Sequence, residues 1–169
     1  MTCIVGIVYG GKVYLGGDSA GVDGTDINVR TQSKVFRNGD FVIGYTTSFR
    51  MGNLLQHAFV PPRWHPDDDL YKFMVTDFVD AAKSCLEAGG YTAGGNFLVG
   101  YAGRLFEIQD DWQVSETIDR YMAVGCGDKY ALGNLYDSKG APKSRIIKAL
   151  NAAAHCNAGV RAPFFVEMV

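Results

Sequence analysis

Cys3-Ile4-Val5-Gly6-Ile7-Val8-Tyr9-Gly10-Gly11-Lys12-Val13-Tyr14-Leu15-Gly16-Gly17-Asp18 follows Met1-Thr2 at the start of the sequence. Residues 3–9 and 12–16 are runs of β-branched and aromatic residues, and Gly10-Gly11 between them is a two-residue hairpin signal. Gly17-Asp18-Ser19-Ala20-Gly21 ends the second run, and a polar, Gly-containing loop is expected to about Thr31. A second hairpin reads as Lys34-Val35-Phe36-Arg37, a turn at Asn38-Gly39, then Phe41-Val42-Ile43-Gly44-Tyr45.

From Ser48 the period changes. Met51, Leu54, Leu55 and Ala58 share one helical face, and Pro61-Pro62 stops that helix. After Asp67-Asp68-Asp69, an apolar stripe of Leu70, Phe73, Met74, Phe78, Ala81, Ala82 and Cys85 predicts a second helix. The three aspartates sit where a helix N-terminus favours carboxylates, so capping is preferred to a metal cluster. A third hairpin is expected over Asn96–Ala102 and Arg104–Ile108 around Gly103, followed by short strands near Trp112–Val114 and Tyr121–Val124. Helical patterns return at about Lys129–Tyr136 and Lys143–His155, and Pro163–Met168 reads as a last strand. Hairpins imply antiparallel pairing, and segregated runs of strands and helices imply α+β layers over a single domain, residues 1–169.

The composition narrows the function. At 169 residues, 47% hydrophobic and 20% charged, the chain buries a core without staples. Its formal net charge of −2 offers nothing to nucleic acid or to an anionic membrane. No apolar run reaches a membrane span and no signal-peptide pattern is present, so a cytoplasmic protein is expected. Cys3, Cys85, Cys126 and Cys156 are widely separated, and His57, His65 and His155 lie at no ligand spacing from them. Reduced thiols are therefore expected, with neither a metal nor a cofactor. His155 and Cys156 are neighbours on one helix and point apart, which argues against a thiol–imidazole couple.

Thr2 carries the chemistry. A small residue after Met1 is the kind of start from which Met is removed, leaving Thr2 with a free α-amine beside its hydroxyl. Nucleophile and general base then reside in one residue. A free α-amine titrates at roughly 7.7–8, near the pH at which a general base works.

Thr2, Gly17-Asp18-Ser19 and Lys34-Val35, with Asp18 and Lys34 at separations of 16 and 32 from Thr2, resemble the N-terminal nucleophile hydrolases of the proteasome class. Proteasome β-subunits and the bacterial two-component threonine peptidase are the members in view. Ala123-Val124-Gly125-Cys126-Gly127, the helix from Tyr130 to Asp137, and Ala153-Ala154-His155-Cys156-Asn157-Ala158 extend the likeness through most of the chain. The resemblance implies a four-layer α/β/β/α sandwich with two stacked antiparallel sheets. It implies a threonine peptidase that forms a homo-oligomeric ring, cleaves peptides or unfolded proteins, and in the two-component case works with an ATPase unfoldase. Thr2 Oγ would attack, Lys34 would favour its alkoxide-like form, and Asp18 would hold Lys34 charged.

The surrounding positions depart from the family. Its Ser in the Gly-Ser-Gly segment is Cys126, the Asp at the helix-to-strand corner is Asn157, and the Ser three residues later is Val160. The Gly whose amide serves the oxyanion is Ser48, which keeps the N–H but not the freedom of glycine. Thr46, Arg50 and Val22 are the residues implied for the substrate pocket. Two other readings stay open: a non-catalytic assembly subunit that retains Met1, and a small-molecule amidase using Cys3.

Overall fold

The computed structural model describes all 169 residues. Four strands form one antiparallel sheet in the order β10 (Tyr121–Gly125), β1 (Cys3–Tyr9), β2 (Lys12–Gly17), β11 (Phe165–Met168). Five form the other, in chain order from β5 (Val35–Asn38) through β6 (Phe41–Tyr45), β7 (Phe97–Tyr101) and β8 (Arg104–Ile108) to β9 (Val114–Glu116). A two-stranded ribbon, β3 (Ala20–Asp23) and β4 (Asp26–Val29), stands apart from both sheets.

Alternation along the strands builds the layers, because successive side chains point to opposite faces. On β1, Cys3, Val5 and Ile7 pack with Ile146, Leu150 and Ala153 of α5 (Pro142–Cys156) and with Ala131 and Leu135 of α4 (Asp128–Asp137). Ile4 faces the other way, where it joins Val13, Leu15, Val35, Val42, Leu98 and Leu105 between the sheets. Ile43, Tyr45, Phe97, Val99 and Phe106 cover the outer face of the second sheet. They pack there with α1 (Phe49–His57), α2 (Leu70–Phe73) and α3 (Val79–Ala88). The result is helix, sheet, sheet, helix: the α/β/β/α sandwich expected from the sequence.

Local chemistry accounts for the element ends. Gly10, Gly11 and Gly39 have φ of 58°, 73° and 60°, the left-handed backbone that tight hairpin turns require. Asp69 caps α2, accepting from the Lys72 amide at 2.7 Å, so capping accounts for at least the last of the three aspartates. Between α2 and α3 the chain runs on through a π-helical turn, Met74–Phe78, that sequence periodicity does not reveal.

Two expectations are corrected. The stretch read as a loop to Thr31 contains the β3–β4 ribbon. Trp112 has φ 70° and belongs to a turn, so the strand there starts at Val114. No helix is long and apolar enough to cross a membrane.

Candidate active site

The start of β1, the end of β2 and the start of β5 converge where the two sheets meet. Asp18, just after β2, is fully buried, and Lys34, just before β5, is 1% exposed. Gly17 lets them meet: a Cβ there would lie 2.8 Å from Ile4 and 3.2 Å from Val35. Lys34 Nζ donates to Asp18 Oδ1 at 2.9 Å and to Thr2 Oγ1 at 2.8 Å. The Asp18 carboxylate is also held by backbone donors, Cys3 N at 3.0 Å on Oδ1, and Ala20 N at 2.9 Å and Arg161 N at 3.3 Å on Oδ2. Burial lowers the pKa of Lys34 from its ordinary value, and the adjacent Asp18 opposes that fall.

Thr2 is 5% exposed, and its hydroxyl donates to the Met1 carbonyl while accepting from Lys34. With Met1 attached, the Thr2 nitrogen is an amide, and it donates to Cys126 Sγ at 3.2 Å. Cys126 Sγ also lies 3.4 Å from the Thr2 carbonyl and 3.4 Å from Asn157 Oδ1. Asn157 in turn donates to the Cys126 carbonyl at 2.8 Å and accepts from Gly159 N at 2.8 Å. The Thr2 nitrogen thus meets an uncharged thiol, a weak hydrogen-bonding group, which Asn157 backs from behind. Val160 is buried in the layer under α5, away from this exchange, and contributes its amide to Asn157 O at 3.2 Å.

Gly125 sits at φ 102°, and a Cβ there would fall 2.3 Å from the Thr2 carbonyl oxygen. Gly125→Ala is therefore expected to displace Thr2 and to cost about 1–3 kcal/mol, read as a lower denaturation midpoint at unchanged m-value.

A cleft of about 100 Å³ opens beside Thr2, lined by Val22, Tyr45, Thr46, Ser48 and Phe49 among others. Val22 and Thr46, two of the residues implied for the substrate pocket, line this cleft. Arg50 does not line the cleft, because its guanidinium donates to the Gly89 carbonyl at 2.6 Å. Phe49, one residue earlier on α1, takes the place at the wall. It also carries the Arg30 guanidinium 3.7 Å from its ring centroid, with Lys34 Nζ at 5.7 Å. Sequence reading missed Phe49 and Arg30. The helix register after Ser48 could have placed Phe49, whereas no periodic pattern marks Arg30.

Ser48 behaves differently from the expectation of lost glycine freedom. It is extended (φ −137°) and caps α1, accepting from Arg50 N at 3.1 Å. The left-handed residue is Thr47 (φ 62°), and Ser48 N donates across it to the Thr46 carbonyl at 2.7 Å. This is a three-residue turn of the rare, strained kind. The amide implied as an oxyanion donor is thereby engaged within the chain.

Cys3 is fully buried against the α4–α5 layer, and burial, with Asp18 adding to it, raises the pKa of its thiol far above the ordinary thiol range. A buried, protonated thiol is a poor nucleophile, which counts against the amidase reading. A depression of about 490 Å³ between Val60-Pro61-Pro62 and Tyr101 contains no nucleophile beside a base and is lined by none of the residues around Thr2.

Solved structures share this architecture along their length. BPH from Thiobacillus denitrificans, in complex with epoxomicin, matches with a TM-score of 0.81 at 19% identity, covering 99% of this chain and 98% of that one. HslV from Trypanosoma brucei matches with a TM-score of 0.73 at 21% identity, covering 99% and 98%. The fold is that of the proteasome-type N-terminal nucleophile hydrolases. Anbu, an ancestral β-subunit from Yersinia bercovieri, shares this fold with a TM-score of 0.71 at 14% identity, covering 99% of this chain and 81% of that one. No protein-family model and no curated protein sequence matches the chain. Identities this low carry the proteasome-type fold and leave its chemistry to the residues themselves.

Proposed function

We propose that the chain is an N-terminal threonine peptidase, a subunit of a self-compartmentalising ring, active once the Met1–Thr2 bond is cut. The observation that carries this reading is the buried contact of Lys34 Nζ with both Thr2 Oγ1 (2.8 Å) and Asp18 Oδ1 (2.9 Å). A lysine so deep has no structural need to be charged, and a carboxylate keeps it so at the one hydroxyl it touches.

Freed of Met1, the Thr2 α-amine takes the proton from Oγ as Oγ attacks the substrate carbonyl. The Lys34 ammonium stabilises the developing alkoxide, and the leaving amine departs with a proton returned from the α-ammonium. Water then hydrolyses the resulting ester by the same base. Cys126, itself held by Asn157, orients the amine. Substrate peptides and ring assembly are supported by the shared fold. The cation–carboxylate pair supports the chemistry.

The mechanism sets a pH dependence. Activity requires the α-amine neutral, so kcat/KM rises through roughly pH 7.7–8. It also requires Lys34 charged, and burial lowers that pKa, so the alkaline limb should fall below the 10.5 of an ordinary lysine. A profile still rising at that pH would exclude Lys34 from the role.

One observation favours a second reading, a non-catalytic assembly subunit. The Ser48 amide, implied as the oxyanion donor, is committed to Thr46 O at 2.7 Å. Intact mass separates the two. The peptidase lacks Met1 and gains one inhibitor mass from epoxomicin, whereas the assembly subunit keeps Met1 and gains nothing.

A further inference from the structure

The cleft beside Thr2 continues into a groove of about 300 Å³, lined by Gly21, Val22, Asp26, Asn28, Arg30 and Phe49 among others. Val22 and Phe49 belong to both, so an extended peptide with a side chain in the cleft would lay the side chain two residues along in the groove. Arg30 is exposed there, with its guanidinium 3.7 Å from the centre of the Phe49 ring. Its stem packs against Gly21, where a Cβ would meet Arg30 Nε at 2.8 Å. Ring and strand together hold a planar cation in one place, which reduces the ordering cost of a hydrogen bond made with it.

Arg30 is engaged by no carboxylate: the buried and exposed cation–carboxylate contacts of lysine and arginine are Lys34–Asp18 and Arg104–Glu116, and Asp23 and Asp26 share the groove without reaching the guanidinium. Asp18 is matched by Lys34, so the cation free to meet a peptide beside Thr2 is Arg30. Its field reaches Tyr45 in the cleft wall, whose phenol pKa burial pushes up to about 12 against the opposing pull of Arg30.

We propose that Arg30 is a specificity-determining residue that selects peptides with an acidic side chain lying in the groove, two residues along from the one in the cleft. A carboxylate there would take the guanidinium fork bidentately while Phe49 supports its other side. This rests on the threonine-peptidase reading and names the substrate class of the same site.

The test uses the Met1-free chain and fluorogenic peptides that differ only by Glu or Gln, placed in turn at each residue flanking the cleavage point. At one position Glu is expected to exceed Gln by about tenfold in kcat/KM, the worth of a charge-assisted pair. Arg30→Gln should bring that ratio to about one. Arg30→Lys should keep part of it, and this rescue separates lost charge from lost packing against Phe49. A preference that survives Arg30→Gln, or no preference at any position, overturns the proposal. The Glu and Gln peptides are also titrated calorimetrically into the Thr2→Ala chain. If nothing is cleaved but Glu still binds tighter in an Arg30-dependent way, the catalytic reading fails and the role of Arg30 stands. Equal binding of the two peptides overturns that role as well.

Discussion

Thr2→Ala is expected to lower kcat/KM for peptide hydrolysis by at least about 10³-fold. The substitution deletes the attacking oxygen and leaves the rest in place, since Lys34 keeps its 2.9 Å bond to Asp18. Stability should change by no more than about 1–2 kcal/mol, the scale of one hydrogen bond. Thr2→Ser supplies the control because it restores a hydroxyl on the same carbon as before, within reach of Lys34 and the α-amine. A Thr2→Ala chain that cleaved as fast as the parent would leave no role for the hydroxyl, and the peptidase reading would fall. A loss shared by Thr2→Ala and Lys34→Met, with Thr2→Ser active, would support one nucleophile served by one cation.

Asp18→Ala should be the most destabilising single change at the site, by about 3–5 kcal/mol, the cost of breaking a buried ion pair from one side. It strands the Lys34 ammonium and removes the acceptor of three backbone amides, those of Cys3, Ala20 and Arg161. The deficit should depend on pH with a definite sign. Without its carboxylate, Lys34 has a folded-state pKa further below 10.5, so the native state binds fewer protons than the unfolded state between those two values. Stability then rises with pH across that window, and the loss shrinks as pH approaches the ordinary lysine value. Denaturant melts at several pH values would read this, and a deficit independent of pH would mean that Lys34 is uncharged in the fold. Combining Asp18→Ala with Lys34→Met should recover much of the stability while the chain stays inactive, because no buried charge is left unpaired.

Much of this arrangement is legible in the sequence because short-range chemistry writes it. Gly10-Gly11 and Asn38-Gly39 announce hairpins through their turn geometry, and alternation in Cys3–Tyr9 marks two buried faces. The β3–β4 ribbon is hidden because all of Asp26–Val29 is exposed, so no core face imposes a period on it. The neighbour relation of β10 and β1 is also unreadable, since register across more than a hundred residues depends on packing. At the site, the separations of Thr2, Asp18 and Lys34 carry the likeness, whereas the pocket wall turns on one step of helix rotation. Phe49 and Arg50 are adjacent in sequence and point to opposite duties, one to the cleft and one to Gly89. The turn at Thr47 is invisible for a related reason, because nothing in a threonine signals φ 62°.

The Asp18 carboxylate draws its donors from residues far apart in the sequence, Cys3 and Arg161, and Ser19 Oγ donates to Pro163 O at 2.6 Å nearby. A ribosome exposes residues in order, so a nascent chain carries Thr2 long before the segment at 161–163 that completes the anchor. A chain cut short of that segment therefore lacks the Arg161 donor to Asp18 and the Pro163 acceptor of Ser19.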